Sequence, residues 1–137
     1  MSKLLAALIV ALALAGCALE GQKVSILTGE RLCYAGGETG VTAVLVADEQ
    51  HGTTFDGAPV MWPSGYAAHR SGGVVVVKDG LGMTKAVTGR TYHISHAFSP
   101  ALGMGDTSAF VVAVDCGYPW DFIDCTANPA DQYCGKT

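Results

Sequence analysis

The sequence has few of the features that announce an activity. After residue 17 no segment carries apolar residues at the 3.6-residue spacing of an amphipathic helix, so helical bundles and doubly wound α/β folds are not expected. No apolar run approaches the roughly 20 residues needed for a membrane-spanning helix. G-x-S-x-G and H-E-x-x-H are both missing, which removes the usual signatures of α/β-hydrolases and zinc metalloproteases. The terminal Gly135-Lys136-Thr137 echoes a P-loop, but Ala130 stands where that loop needs glycine. Asn128, the only asparagine, precedes a proline and is no glycosylation acceptor. Positive charge is scarce as well, with 8 Lys and Arg against 12 Asp and Glu. The basic residues do not cluster along the chain, so nucleic acid and anionic lipid surfaces are not expected partners.

The first 17 residues are more informative. Lys3 is the only charge before Leu4–Leu14, an unbroken run of Leu, Ala, Ile and Val. A charged n-region, an apolar stretch of about 7–15 residues and small residues at its end describe an export signal. Leucine and alanine on every face do not suit a surface helix, which shows one apolar stripe. Leu14-Ala15-Gly16-Cys17 resembles the lipobox of bacterial lipoproteins in position, spacing and residue types. That resemblance implies a diacylglycerol on the Cys17 sulfur, cleavage before Cys17, and membrane anchoring at the cell envelope. The holding leaflet would be the outer leaflet of the plasma membrane or the outer membrane. Two or more acyl chains hold stably where one does not. The expected organisation is therefore a signal peptide over 1–16, a lipidated tether over 17–23 and a single β domain over 24–137.

Beyond Cys17, seven basic residues face twelve acidic ones, a net charge of about −5 with histidine neutral. Four cysteines remain: Cys33, Cys116, Cys125 and Cys134. An even count in an exported domain predicts disulfides, and four cysteines allow three connectivities. A local Cys125–Cys134 bridge across the Asn-Pro loop would leave Cys33 to Cys116. Zinc sites usually present close C-x₂₋₄-C pairs, and the chain has none.

Short apolar runs rich in β-branched residues, punctuated by 18 glycines and 5 prolines, predict an all-β domain. The expected form is a small antiparallel barrel or sandwich of OB-like type. Val41–Ala47 reads as a buried strand, and Asp48–Ala58 as an exposed loop. Asp79-Gly80 between Val74–Lys78 and Leu81–Val87 predicts a two-residue type I′ hairpin. With Arg90–Ser95 this becomes a three-stranded meander. Phe110–Asp115 is the expected last strand, and the acidic segment from Asp106 to Asp131 reads as a solvated end. The stretches PVMWPSGYAAH and VVVVKDGLGMTKAVTGRTYHI resemble small β-barrel lipoproteins of actinobacteria, a resemblance that implies fold and carries no chemistry with it.

Candidate sites each have a plainer alternative. Trp62 and Tyr66 flank a Pro-Gly turn, and Tyr118 and Trp120 form a second aromatic pair; all four are candidate binding-surface anchors. They could equally plug the ends of a small barrel. His93 and His96, with Met61, Met83 and Met104, offer ligands that suit copper. Residues three apart on a strand point to opposite faces, however, which favours ordinary turn histidines and core methionines. Cys33 as a nucleophile, or Asp121 and Asp124 as an acid–base pair, are weaker still beside a disulfide and two solvent-facing carboxylates. The expectation is a non-enzymatic envelope module without metal or cofactor, which binds an envelope protein or small ligand or serves a structural part. The alternatives are a copper-handling lipoprotein and a phage- or host-encoded surface lipoprotein that blocks a receptor.

Overall fold

The computed structural model describes residues 21–29, 40–100, 108–112 and 122–135. These residues contain eleven strands and no helix. They are β1 (Lys23–Val24), β2 (Leu27–Gly29), β3 (Gly40–Asp48), β4 (Gly52–Phe55), β5 (Ala58–Pro63), β6 (Ala67–Ser71), β7 (Val74–Lys78), β8 (Thr84–Val87), β9 (Thr91–Pro100), β10 (Ser108–Val112) and β11 (Phe122–Asp124).

The strands form two sheets. The smaller has the order β1-β6-β7-β8, antiparallel throughout. The larger runs β10-β5-β4-β3-β9-β11, with β2 parallel to β5. In the larger sheet β10 bonds both to β5, in parallel, and to β9, antiparallel. β3, β4, β5, β10 and β9 are thus linked by a circuit of pairings that is not closed into a barrel. The circuit is staggered: β9 pairs with β3 through Thr91–Ser95 and with β10 through His96–Pro100. The molecule is thus a small β-sandwich of two sheets, not a closed barrel.

One core joins the sheets. Leu45, Phe55, Val60, Trp62, Tyr92 and Ile94 come from the larger sheet, and Ala68, Val75, Val77 and Ala86 from the smaller. Alternation sets this up: Val75 and Val77 are buried while Val74, Val76 and Lys78 lie on the other face. Tyr92 ties the layers at their edge, where its hydroxyl accepts the Val87 N–H at 2.8 Å. Burial pushes the Tyr92 phenol above its ordinary pKa, and the Val87 hydrogen bond opposes that shift.

Several local expectations change. β3 is not a doubly buried strand: Leu45 is fully buried, but Val44 and Val46 are 46% and 51% exposed. A continuous β-branched run cannot distinguish one covered face from two. The stretch 48–58 is not all loop, since it contains β4 and a tight turn at Asp56-Gly57. β11 lies inside the acidic segment read as a solvated end, and pairs with β9. The meander is β6-β7-β8, because the chain leaves the smaller sheet after β8 and β9 joins the larger one. The crossing is held where Gly89 N–H bonds to Leu45 O at 2.7 Å and Leu45 N–H to Arg90 O at 3.0 Å.

The hairpin after β7 also differs. Gly80 is not in the left-handed region; Gly82 is, with φ +80°. Gly82 N–H bonds to Asp79 O, and Asp79 N–H to Met83 O, making a three-residue loop closed by a left-handed glycine. The Asp79 carboxylate stabilises this choice by accepting the Leu81 and Met83 N–H groups, each at 2.9 Å. Two-residue turns with both φ positive occur at Asp56-Gly57 (48° and 79°) and Gly72-Gly73 (55° and 83°). Gly82→Ala is therefore expected to destabilise the fold by about 1–2 kcal/mol, the cost of a side chain in the left-handed region. Gly80→Ala meets only an ordinary contact, Gly65 O at 3.7 Å, and should change stability by less than about 0.5 kcal/mol. Denaturant midpoints of the two variants check the assignment; the reverse order would restore the Asp79-Gly80 turn.

Candidate functional site

Leu14-Ala15-Gly16-Cys17, the segment that resembles a lipobox, lies outside the described residues, which begin at Gly21. Gly21 N–H bonds to Arg70 O at 2.7 Å, and Arg70 N–H to Gln22 O at 2.9 Å. Lys23 then pairs with His69. Residues 21–22 thus bond to β6, and Lys23, the last residue of the expected tether, is the first of β1.

Trp62 and Tyr66 do not form a binding surface. Trp62 is fully buried and Tyr66 is 7% exposed. The rings stack at 6.2 Å with 16° between their planes, and Phe122 meets Trp62 edge-on at 6.4 Å. The Trp62 indole N–H donates to the buried Thr53 hydroxyl at 2.9 Å, which satisfies the polar end of an otherwise apolar group. Pro63, Ser64 and Gly65 make the expected turn, but Trp62 points inward from β5 beside Val60, and Tyr66, just past the turn, stacks on it. Tyr118 and Trp120 lie outside the described residues.

Cys125 and Cys134 form a disulfide, with their Cα atoms 5.4 Å apart. Cys33 and Cys116 lie outside the described residues. The bridge closes a loop that folds back over the outer face of the larger sheet. Cys125 N–H bonds to Thr91 O, and Thr91 N–H to the Thr126 hydroxyl. At the far end of the loop, the Thr42 hydroxyl donates to Tyr133 O at 3.1 Å. That uses its only proton, so the 2.8 Å contact to His93 Nδ1 runs from an imidazole N–H to the threonine oxygen. Tyr133 covers the His93 ring at a centroid distance of 5.2 Å, and His93 is 7% exposed. His93 is a structural residue beneath the disulfide loop.

The other proposed ligands are not gathered round it. Met83 is 62% exposed in the β7–β8 loop, and Met61 lies against Gly29. The His96 side chain and Met104 lie outside the description. Among the described residues, no group of three or more His, Cys, Asp or Glu could hold a metal ion. Asp124 is not half of an acid–base pair; it accepts from Arg90 Nε at 2.9 Å and Nη2 at 2.8 Å, joining β11 to the end of the β8–β9 crossing. Asp121 lies outside the described residues.

Opening the Cys125–Cys134 bridge tests the loop's part in this packing. A paired Cys125→Ser/Cys134→Ser variant is expected to lose about 2–3 kcal/mol, the chain-entropy contribution for a loop of this size. His93 should become accessible to diethylpyrocarbonate modification below the global unfolding transition. An unchanged midpoint and an unreactive His93 would mean that the loop is held without the bridge.

Folding does assemble one feature that the linear sequence conceals. The strands of the smaller sheet carry Lys23, Arg70, Lys78 and Lys85 and no Asp or Glu. The strands of the larger sheet carry no Lys or Arg, and contain Asp48 and Asp124. Positive charge that is dispersed along the chain is collected on one layer, so the expected lack of a basic cluster does not survive folding. Lys85 is partnered by Asp79 at 3.6 Å. Among the described residues, no ion pair engages Lys23, Arg70 or Lys78.

Comparison of the chain with protein-family models, with curated proteins and with solved structures finds no match.

Proposed function

We propose that the protein is a lipid-anchored module of the bacterial cell envelope. It binds an envelope protein or small ligand, or serves a structural part, without catalysis of its own. The observation that carries this reading is Leu14-Ala15-Gly16-Cys17 at the end of an eleven-residue apolar run with one lysine before it. A small disulfide-bearing β domain suits an oxidising, extracytoplasmic compartment. Backbone hydrogen bonding to β6 that starts at Gly21 would give a lipid on Cys17 a folded domain almost at once. Copper handling is not pursued, because Met61, Met83 and His93 have separate structural surroundings.

Cys17→Ser tests the anchor, because serine lacks the thiolate that accepts the diacylglycerol. In a lipoprotein-processing host grown with alkyne-labelled fatty acid, the parent protein should take up label and fractionate with membranes. The Cys17→Ser protein should take up none and keep its signal peptide. Equal labelling of both would place the lipid elsewhere and overturn the assignment.

A further inference from the structure

We propose that the outer face of the β1-β6-β7-β8 sheet docks on the anionic headgroups of the membrane that holds the Cys17 lipid. This inference rests on the anchoring proposed above and adds an orientation to it.

Register defines the face. Lys23 on β1, His69 on β6, Val76 on β7 and Val87 on β8 are successive cross-strand partners. They lie on the face opposite the buried Ala68, Val75, Val77 and Ala86. Lys78 shares that face, two residues on from Val76, and pairs with Ala67. Arg70, the cross-strand partner of the buried Val75, lies on the opposite face, and its backbone holds Gly21 and Gln22. A chain with net charge −4 thus presents a layer whose strands contain only basic charges.

Chain length supplies the second argument. Four residues reach at most about 14 Å, so a lipid on Cys17 keeps Gly21 and the β1 edge close to the bilayer. Lys23 follows two residues later. Asp48 ends β3 and Glu49 and Asp56 sit on turns of the other sheet, while Asp79 in the β7–β8 loop is taken up by Lys85. An anionic surface attracts the near layer and repels the far one. A tether this short turns that difference into a preferred orientation, since the face is already within a Debye length of the headgroups. Two unpaired lysines, Lys23 and Lys78, at such a surface favour the docked orientation by roughly thirtyfold over a neutral bilayer.

The test uses the full processed protein extracted from membranes and reconstituted through its own lipid. The vesicles are phosphatidylcholine alone, or equal parts phosphatidylcholine and phosphatidylglycerol. Hydroxyl-radical footprinting reads each side chain with an uncharged reagent. On the mixed vesicles His69, Val76 and Lys78 should lose most of their reactivity, while Val44 and Val46 on the opposite sheet keep theirs. High salt, or the double variant Lys23→Glu/Lys78→Glu, should abolish the difference. Equal footprints on the two vesicles would overturn the docking, as would protection of Val44 and Val46 instead. Protection seen in native membranes but not on phosphatidylglycerol would assign the face to another partner and also overturn it. A mass measurement on the same sample separates the two proposals: a chain without lipid on Cys17 defeats the anchor itself, whereas a lipidated chain with equal footprints defeats only the orientation.

Discussion

Trp62→Ala is expected to destabilise the protein by about 3–5 kcal/mol, the range for deleting a large buried aromatic. Trp62 is fully buried on β5, stacked on Tyr66 and flanked by Phe122, so it links β5, the β5–β6 connection and β11. Truncation leaves a cavity and takes the hydrogen-bond donor from the Thr53 hydroxyl, which is itself fully buried. A domain of this size has about 5–15 kcal/mol in all, so the loss is a large share of its stability. Trp62→Phe separates the two effects. It retains most of the ring but leaves Thr53 without its partner, and should cost about 1–3 kcal/mol. Denaturant unfolding followed by circular dichroism checks both. A change below about 0.5 kcal/mol for Trp62→Ala would return the residue to the surface role its Pro-Gly neighbours imply.

Gly52→Val is the second large effect. Gly52 begins β4 with φ +81°, a region that β-branched residues avoid. A Cβ there would also collide with the Ser25 carbonyl oxygen and crowd Ile26, in the segment between β1 and β2. The Ser25 contact is backbone, so a side-chain rotation cannot relieve it. Strain in the left-handed region and overpacking together come to about 3 kcal/mol. Because Ser25 and Ile26 join a strand of one sheet to a strand of the other, the damage should spread to both. Amide exchange should then quicken in β1 and β2 as well as in β4. A normal midpoint with slow exchange at Val24 and Leu27 would show that this approach does not constrain the fold.

The β character was legible in the sequence because runs such as Val74–Val77 and Val41–Val46 carry it locally. The turns were legible only in part. Asp-Gly occurs at Asp56-Gly57 and at Asp79-Gly80, and only the first makes a two-residue turn. What separates them is a second glycine, Gly82, which lets Asp79 cap a longer loop with its carboxylate. Periodicity could not divide the strands between sheets. β8 and β9 are consecutive and separated by a short turn, yet Gly89 and Arg90 bond to Leu45 and carry the chain across. Trp62 misled through its neighbours: a Pro-Gly turn speaks for exposed backbone, while alternation on β5 decides where the ring goes. The basic layer was hidden for a simpler reason. Lys23, Arg70 and Lys78 are remote in sequence, and only the pairing of β1 with β6 and of β6 with β7 joins them. The proposed anchor at Cys17 rests on Leu14-Ala15-Gly16-Cys17 alone and draws nothing from the fold.

The most direct test of the anchoring is the intact mass of the protein extracted from membranes, with fragmentation of its N-terminal peptide. The expected species begins at Cys17 and carries a diacylglycerol in thioether linkage on that sulfur. A chain that begins at Met1 with a free Cys17 thiol, or one cut at another position without lipid, would contradict the anchor and the function built on it.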